Sequence, residues 1–534
     1  MNNAPCLREK RAGVVLPLSA LRSGSDAGVG DTAALVPFFD WMRSAGLSVL
    51  QLLPLHDLGP SDSCPYTALS AFALDSAFIS LGDVPEIQDS PSLRRAAQAA
   101  LRGEPALRLR RARRVPFAEA RRFKWTLLEK ACAAFERRHL GRNSHRADAF
   151  AAFCRRHRSW LEDYALFRAL KEEHSWSSWR QWPRALQDRE PAALDAARRR
   201  LAGRIRFHQY LQWNLFAQWD RVRRAAAERG ILLFGDIPFG LSVESADVWS
   251  HADLFDFSVS MGAPPDQYSV TGQAWGLPAY RWEVMEEGGH LWWRERLRHT
   301  RDLYDIFRID HAVGFFRTWL VRPKAEESAF DIVGREQQWA RGRRFFTLAL
   351  EEGRPAGVAA EDLGLIPDFM KETLEELGIP GYKVTRWQDT EDGYLNPRNF
   401  PRVSVATTGN HDTSSLAAWW AEIPQEARDD YWEMVRGKAE TAPRFSHAVQ
   451  MRILRNLYEA GSALALVSFQ DLFGSRARVN IPGTITNRNW TYRMPWPVED
   501  LLRAPRSRRA TTAARRLAVL GGRLPAEPGP IPPT

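Results

Sequence analysis

The stretch Leu303-Tyr-Asp-Ile-Phe-Arg-Ile-Asp-His311 decides how the rest of the chain is read. Tyr304, Ile306, Phe307 and Ile309 make it a buried strand, yet it carries Asp305, Arg308 and Asp310. Charge at the C-terminal end of a buried strand is either paired or put to chemical use, because an unpaired ion there is costly to desolvate. Arg308 and Asp310 lie two apart and so project from one face of a strand. A guanidinium beside a carboxylate favours its ionised form, which a nucleophile requires. Two further apolar runs lead to acids downstream: Gly357-Val-Ala-Ala before Glu361, and Val403-Ser-Val-Ala-Thr-Thr-Gly-Asn-His before Asp412, at successive steps of 51 residues. Acids ending strands four, five and seven predict three carboxylates converging on one rim of a parallel barrel.

Working outward, similar short runs occur at 12–19, 48–54, 230–239, 382–387 and 463–469, which with 303–311, 357–361 and 403–407 makes eight. Helix-like segments such as 32–45, 292–301 and 367–377 follow several of them. That alternation predicts an α/β fold, a (β/α)8 TIM barrel with long active-site loops. Residues 1–84 then hold strands one and two with a substrate loop after the second, which contains Tyr66. Over 85–225 strand-like runs vanish and Ala, Arg and Glu dominate; apolar residues at 207, 211, 215, 216 and 219 mark an amphipathic helix. This region is expected to be a mostly helical insertion between strands two and three. Residues 226–502 complete the barrel, with Asp236 ending strand three and a long functional loop over 262–278 carrying Trp275. The basic, Pro-rich segment 503–534 is expected to be a frayed tail.

The formal net charge of +10 is mostly arginine, clustered at 108–114, 198–200 and 503–516. The clusters are separate and lack interleaved aromatics, so they are taken as solvated helix faces and not as a nucleic-acid surface. Four cysteines without a C-x-x-C pair indicate reduced thiols and a cytoplasmic protein. The N-terminus has no apolar signal-peptide core, and no run approaches the ~18 apolar residues of a membrane span. No His-Glu-x-x-His, dense acidic calcium loop or phosphate loop is present, which argues against metal coordination as the use of these acids.

Two carboxylates flanking an acetal, one ionised and one protonated, are what cleavage of a glycosidic bond needs. The ionised acid beside Arg308 attacks the anomeric carbon; the protonated one serves the leaving oxygen. A third carboxylate and a neighbouring imidazole, here Asp412 and His411, can hold ring hydroxyls as the transition state forms.

Motifs along nearly the whole chain carry a resemblance: residues 16–31 (LPLSALRSGSDAGVGD), 64–72 (CPYTALSAF), 235–238 (GDIP), 245–249 (SADVW), 262–266 (GAPPD), 307–311 (FRIDH), 360–364 (AEDLG), His411-Asp412, 470–474 (QDLFG) and 480–484 (NIPGT). The chain resembles the amylomaltase or 4-α-glucanotransferase family, glycoside hydrolase family 77. The resemblance implies a retaining transfer of α-1,4-glucan segments between maltooligosaccharides, with glucose as acceptor or product and no metal or organic cofactor. It implies Asp310 as nucleophile, Glu361 as general acid/base and Asp412 as transition-state stabiliser. Arg308 and His411 support them, and Tyr66, Asp236 and Trp275 lie near bound glucose units. No nucleic-acid or membrane partner is expected, and the chain is expected to be a monomer or weak homodimer. The chain departs from the family pattern at Asn410, at Ser414 within Thr413-Ser-Ser415, and at Ala274, positions that bear on acceptor preference and rate. The alternatives are a hydrolase of the same bonds and a non-catalytic glucan-binding protein on the same scaffold.

Overall fold

The computed structural model describes residues 4–142, 144–265, 272–322, 324, 327–391 and 393–525. Eight parallel strands form its centre: β1 (Arg11–Leu16), β2 (Val49–Leu52), β3 (Leu232–Ile237), β4 (Ile306–Ile309), β5 (Gly357–Ala360), β6 (Gly381–Val384), β7 (Ser404–Thr407) and β8 (Leu464–Ser468). Their order in the sheet is β6-β7-β8-β1-β2-β3-β4-β5. The seam between β5 and β6 is bridged where the Ala360 N–H donates to the Pro380 carbonyl at 3.0 Å. The eight expected strands are therefore all present, as a TIM barrel with insertions.

Alternation along the strands fills the barrel. Val49, Phe234, Ile306, Ala359, Tyr382, Val405, Leu464 and Leu466 form one buried cluster inside it. Two residues beyond Phe234 and Ile306, on the same faces, come Asp236 and Arg308, and these two are register partners across β3 and β4. Gly235 between them has a packing reason: a Cβ there would sit 2.3 Å from the Tyr304 ring.

Between β2 and β3 the chain is helical, with long members Phe117–His139, Arg158–Glu173 and Ala202–Glu228. Buried ion pairs tie the loops after β1 and β2 to these helices: Lys124 to Asp31 at 3.2 Å, Arg121 to Asp75 at 2.7 Å and Arg168 to Asp57 at 3.4 Å. Burial pushes the Asp57 carboxyl up to about 6, against the pull of Arg168 and of the Tyr164 hydroxyl that donates to it at 2.8 Å.

Three expectations are corrected. The segment 262–278 is not simply a loop: Phe255–Ala263 and Gln273–Tyr280 pair antiparallel and join Trp319–Val321 and Ala329–Phe330 in a separate four-stranded sheet. Gly276 and Pro278 disguised this strand, which tolerates them because the ladder is irregular, with register shifts at Asp256/Ser260 and Met261/Gly262. Asp266 of the quoted motif lies outside the described residues. The sixth strand stops at Val384, and Thr385–Trp387 is a 3₁₀ turn that sends Arg386 into the wall to donate to the Thr408 and Ser414 carbonyls. Finally, Pro505–Leu520 is a helix of 16 residues and not a frayed tail. Its buried stripe of Ser507, Ala510, Thr511, Ala514, Leu517 and Ala518 is made largely of small residues, and Trp41 Nε1 donates to Thr511 Oγ1 at 2.9 Å. The remainder of that expected tail, 526–534, lies outside the described residues.

Candidate active site

The C-terminal ends of β3, β4 and β5 bring four charged side chains into one knot. Arg308 Nη1 contacts both oxygens of Asp236 at 2.7 and 2.6 Å. Its Nη2 reaches Glu361 Oε2 at 2.6 Å and Asp310 Oδ1 at 2.8 Å. Two carboxyls bound to one nitrogen stand side by side at the mouth. Asp236 and Arg308 are buried, whereas Glu361 and Asp310 keep 18% and 20% of their side-chain surface exposed, which leaves them facing the mouth. Below the knot, the Arg308 guanidinium lies 5.9 Å from the centre of the Tyr382 ring, whose hydroxyl accepts from Gln51 Nε2 at 2.9 Å.

Backbone groups divide the two acids. Glu361 Oε2 also accepts the His311 N–H at 3.0 Å, while Asp310 Oδ2 receives only a longer bond, 3.3 Å, from the Phe239 N–H. His311 adopts a left-handed conformation (φ 45°, ψ 53°), unusual for a residue with a Cβ, and this turn aims its amide at Glu361. The consequence is electrostatic. Burial raises both carboxyls, but for Glu361 it is outweighed by Arg308 and the His311 amide, which bring that group down to about 2. Asp310 is held well above the usual carboxylate range, by burial first and by the charge of Glu361 next, against Arg308. The two shifts run in opposite directions, which favours a proton on Asp310 over one on Glu361. Arg308 pulls Asp310 toward its ionised form, as expected from the sequence, while burial and the charge of Glu361 pull the other way. Burial also lowers His311 to about 4, so its ring is neutral at physiological pH.

Tyr66 links this knot to the opposite side of the mouth. Its hydroxyl donates to Asp236 Oδ2 at 2.7 Å, and its ring stacks on His411 with centroids 5.2 Å apart. Trp490 completes an aromatic group, 5.5 Å from each of the two. Trp275 meets the His311 ring edge-on at 4.8 Å, so the antiparallel sheet also reaches the mouth.

Asp412 is placed differently from the expectation. It does not end β7 but lies five residues beyond Thr407, in a turn where the Asp412 N–H donates to Asn410 Oδ1 at 3.0 Å. Its carboxylate accepts from Asn480 Nδ2 at 2.6 Å and lies 3.5 Å from His411 Nε2. Among the described residues it has no bond to Asp310, Glu361 or Arg308; it joins them only through His411 and Tyr66.

The family described as 4-alpha-glucanotransferase, glycoside hydrolase family 77, matches residues 16–499. The chain belongs to that family. Among curated relatives, the 4-alpha-glucanotransferase of Thermus thermophilus is 33% identical over 476 residues, covering 86% of this chain and 89% of that protein. The enzyme of Chlamydia pneumoniae is 31% identical over 506 residues, covering 92% of each. Among solved structures, the amylomaltase of Streptococcus agalactiae in complex with acarbose superposes with a TM-score of 0.82 at 25% identity, covering 96% of this chain and 100% of that one. The amylomaltase of Corynebacterium glutamicum shares the fold, with a TM-score of 0.80 at 20% identity, covering 96% of this chain and 76% of that one. This protein is a 4-α-glucanotransferase.

Several residues of this glucanotransferase were not singled out from sequence. Asn480 sits in the quoted run 480–484 but nothing local signals its bond to Asp412, 68 residues away. Arg478 braces the same turn, donating from Nη2 to the Asp412 carbonyl and from Nε to the Asn480 carbonyl. Trp490, Gln51 and Tyr382 likewise emerge only once strands are assembled. Of the departures from the family pattern, Asn410 shapes the Asp412 turn, Ser415 caps the helix Leu416–Glu422, and Ala274 is exposed. Among the described residues no helix is long and apolar enough to cross a membrane.

Proposed function

We propose that this glucanotransferase works by retaining double displacement on maltooligosaccharides, with Asp310 as nucleophile, Glu361 as acid and base, and Asp412 as the group that holds ring hydroxyls in the transition state. The observation that carries this reading is Arg308 Nη2, bound to both Asp310 and Glu361, which holds the two acids side by side, as the closely spaced pair of a retaining enzyme requires. A glucan entering between them separates the pair, and the single proton passes to Glu361. Asp310 then attacks the anomeric carbon as the glycosidic bond breaks, and Glu361 gives its proton to the departing 4-oxygen. In the second half an acceptor 4-hydroxyl, from another glucan or from glucose, loses its proton to Glu361 and displaces Asp310.

Asp236 and Tyr66 anchor Arg308 and border the first glucose ring, while Trp275, Tyr66 and Trp490 offer flat faces to the rings beyond. The expected partition, a barrel of 1–84 and 226–502 interrupted by a helical insertion over 85–225, fits this division of labour. The four cysteines, all free, suit the cytoplasm. Incubation with maltotriose tests the reading. A ladder of longer oligosaccharides with glucose supports transfer, and a glucosyl ester on Asp310 trapped in Glu361→Gln and located by mass spectrometry supports the covalent step. Maltose and glucose alone would indicate hydrolysis.

A further inference from the structure

The helices His447–Tyr458 and Pro505–Leu520 pack side by side on the barrel wall and leave an open groove of about 800 Å³ between them. Arg452, Arg455, Arg508, Arg509 and Arg516 line it, with His447 at one end, and no carboxylate does. Met451, Ala513 and Leu517 add apolar surface to its lining. The second helix is seated through its small-residue stripe, so helical periodicity turns Arg508, Arg509 and Arg516 to the outer side.

Most of the charges in this groove are unmatched. Arg455 binds Glu459 at 2.7 Å, but among the described residues the side chains of Arg452, Arg508, Arg509 and Arg516 have no hydrogen-bond or ion-pair acceptor. On the other flank of the helix His447–Tyr458 the arginines are satisfied: Arg398 pairs with Glu459 and Arg436 with Glu440. Four guanidiniums around one concavity repel each other in the empty protein, and a ligand with two negative charges removes that repulsion. Guanidinium forks match phosphate oxygens two at a time. The volume lies within the ~300–1,000 Å³ of small-molecule sites, and the apolar part of the lining suits the carbon frame of such a ligand.

We propose that this groove is a binding site for a small phosphate ester, separate from the catalytic mouth. A nucleic acid is the less fitting occupant, because the arginines surround a short concavity and do not form a long stripe. Titration calorimetry of the full-length protein with glucose 6-phosphate and with ATP tests this, with glucose and inorganic phosphate as controls. Arg508→Glu/Arg509→Glu is expected to weaken ester binding about tenfold or more, since it replaces two charged hydrogen-bond donors with two like charges. The same variant should leave maltotriose disproportionation without added ester unchanged. Arg452→Gln/Arg516→Gln serves as a second variant should the first fail to fold. Any of four results would overturn the proposal: neither ester binds; binding survives both variants; inorganic phosphate binds as tightly as the esters; or duplex DNA or RNA binds through these arginines more tightly than the esters.

Discussion

Asn480 donates its side-chain amide to Asp412 at 2.6 Å across 68 residues of sequence. Asp412 stands in a turn and not on a strand, so its direction depends on that bond and on Arg478 gripping its carbonyl. Asn480→Ala is expected to lower kcat by about 10²-fold, a magnitude typical of losing one positioning or stabilising contact, with KM little changed. Steady-state kinetics on maltotriose check this; a variant within threefold of wild type would show that Asp412 needs no such guide.

Asp310→Asn and Glu361→Gln should each abolish the oligosaccharide ladder, a loss of about 10³-fold or more. Both substitutions are close to isosteric, so circular dichroism should be unchanged. Substantial turnover in either purified variant would remove that residue from the mechanism.

One proton shared by Asp310 and Glu361 sets the pH response. Glu361 at about 2 keeps its charge in weakly acidic solution, and Asp310 keeps its proton well above the usual carboxylate range. Activity should therefore persist in weakly acidic solution and fall at higher pH, as the pair loses its proton. Asp236 is one of the charges that raise Asp310. Asp236→Asn should move the alkaline limb of kcat/KM to lower pH, whereas an unmoved or alkaline-shifted limb would contradict the electrostatic account.

Arg493 and Asp26 form a fully buried ion pair at 2.7 Å, and Asp26 also accepts the Ser23 and Gly28 N–H groups. Removing one partner strands the other charge in the interior. Arg493→Leu should cost about 3–5 kcal/mol in denaturant unfolding. A cost below ~1 kcal/mol would mean that Asp26 finds another cation or takes up a proton.

The barrel strands were legible because each is a short apolar run closed by turn residues, and the acids Asp310 and Glu361 follow two of them directly. The strand Gln273–Tyr280 escaped because its stability comes from partners far along the chain, which outweigh the local message of Gly276 and Pro278. The helix Pro505–Leu520 escaped for a different reason: its inner face is largely alanine, serine and threonine, a weak hydrophobic signal among six arginines from 503 to 516. The placing of the shared proton was out of reach. It depends on Arg308 also binding Asp236, and on the left-handed turn at His311, neither of which spacing along the chain reveals.

The last parts of the mouth to leave the ribosome are Asn480, Trp490 and the Arg493 that locks the first loop from within. A nascent chain halted near residue 475 would already possess all three acids and most of the barrel. It would nevertheless lack the guide for Asp412, one wall of the aromatic group and the cation that Asp26 requires. The catalytic mouth is therefore completed only when the C-terminal segment folds back over the beginning of the chain.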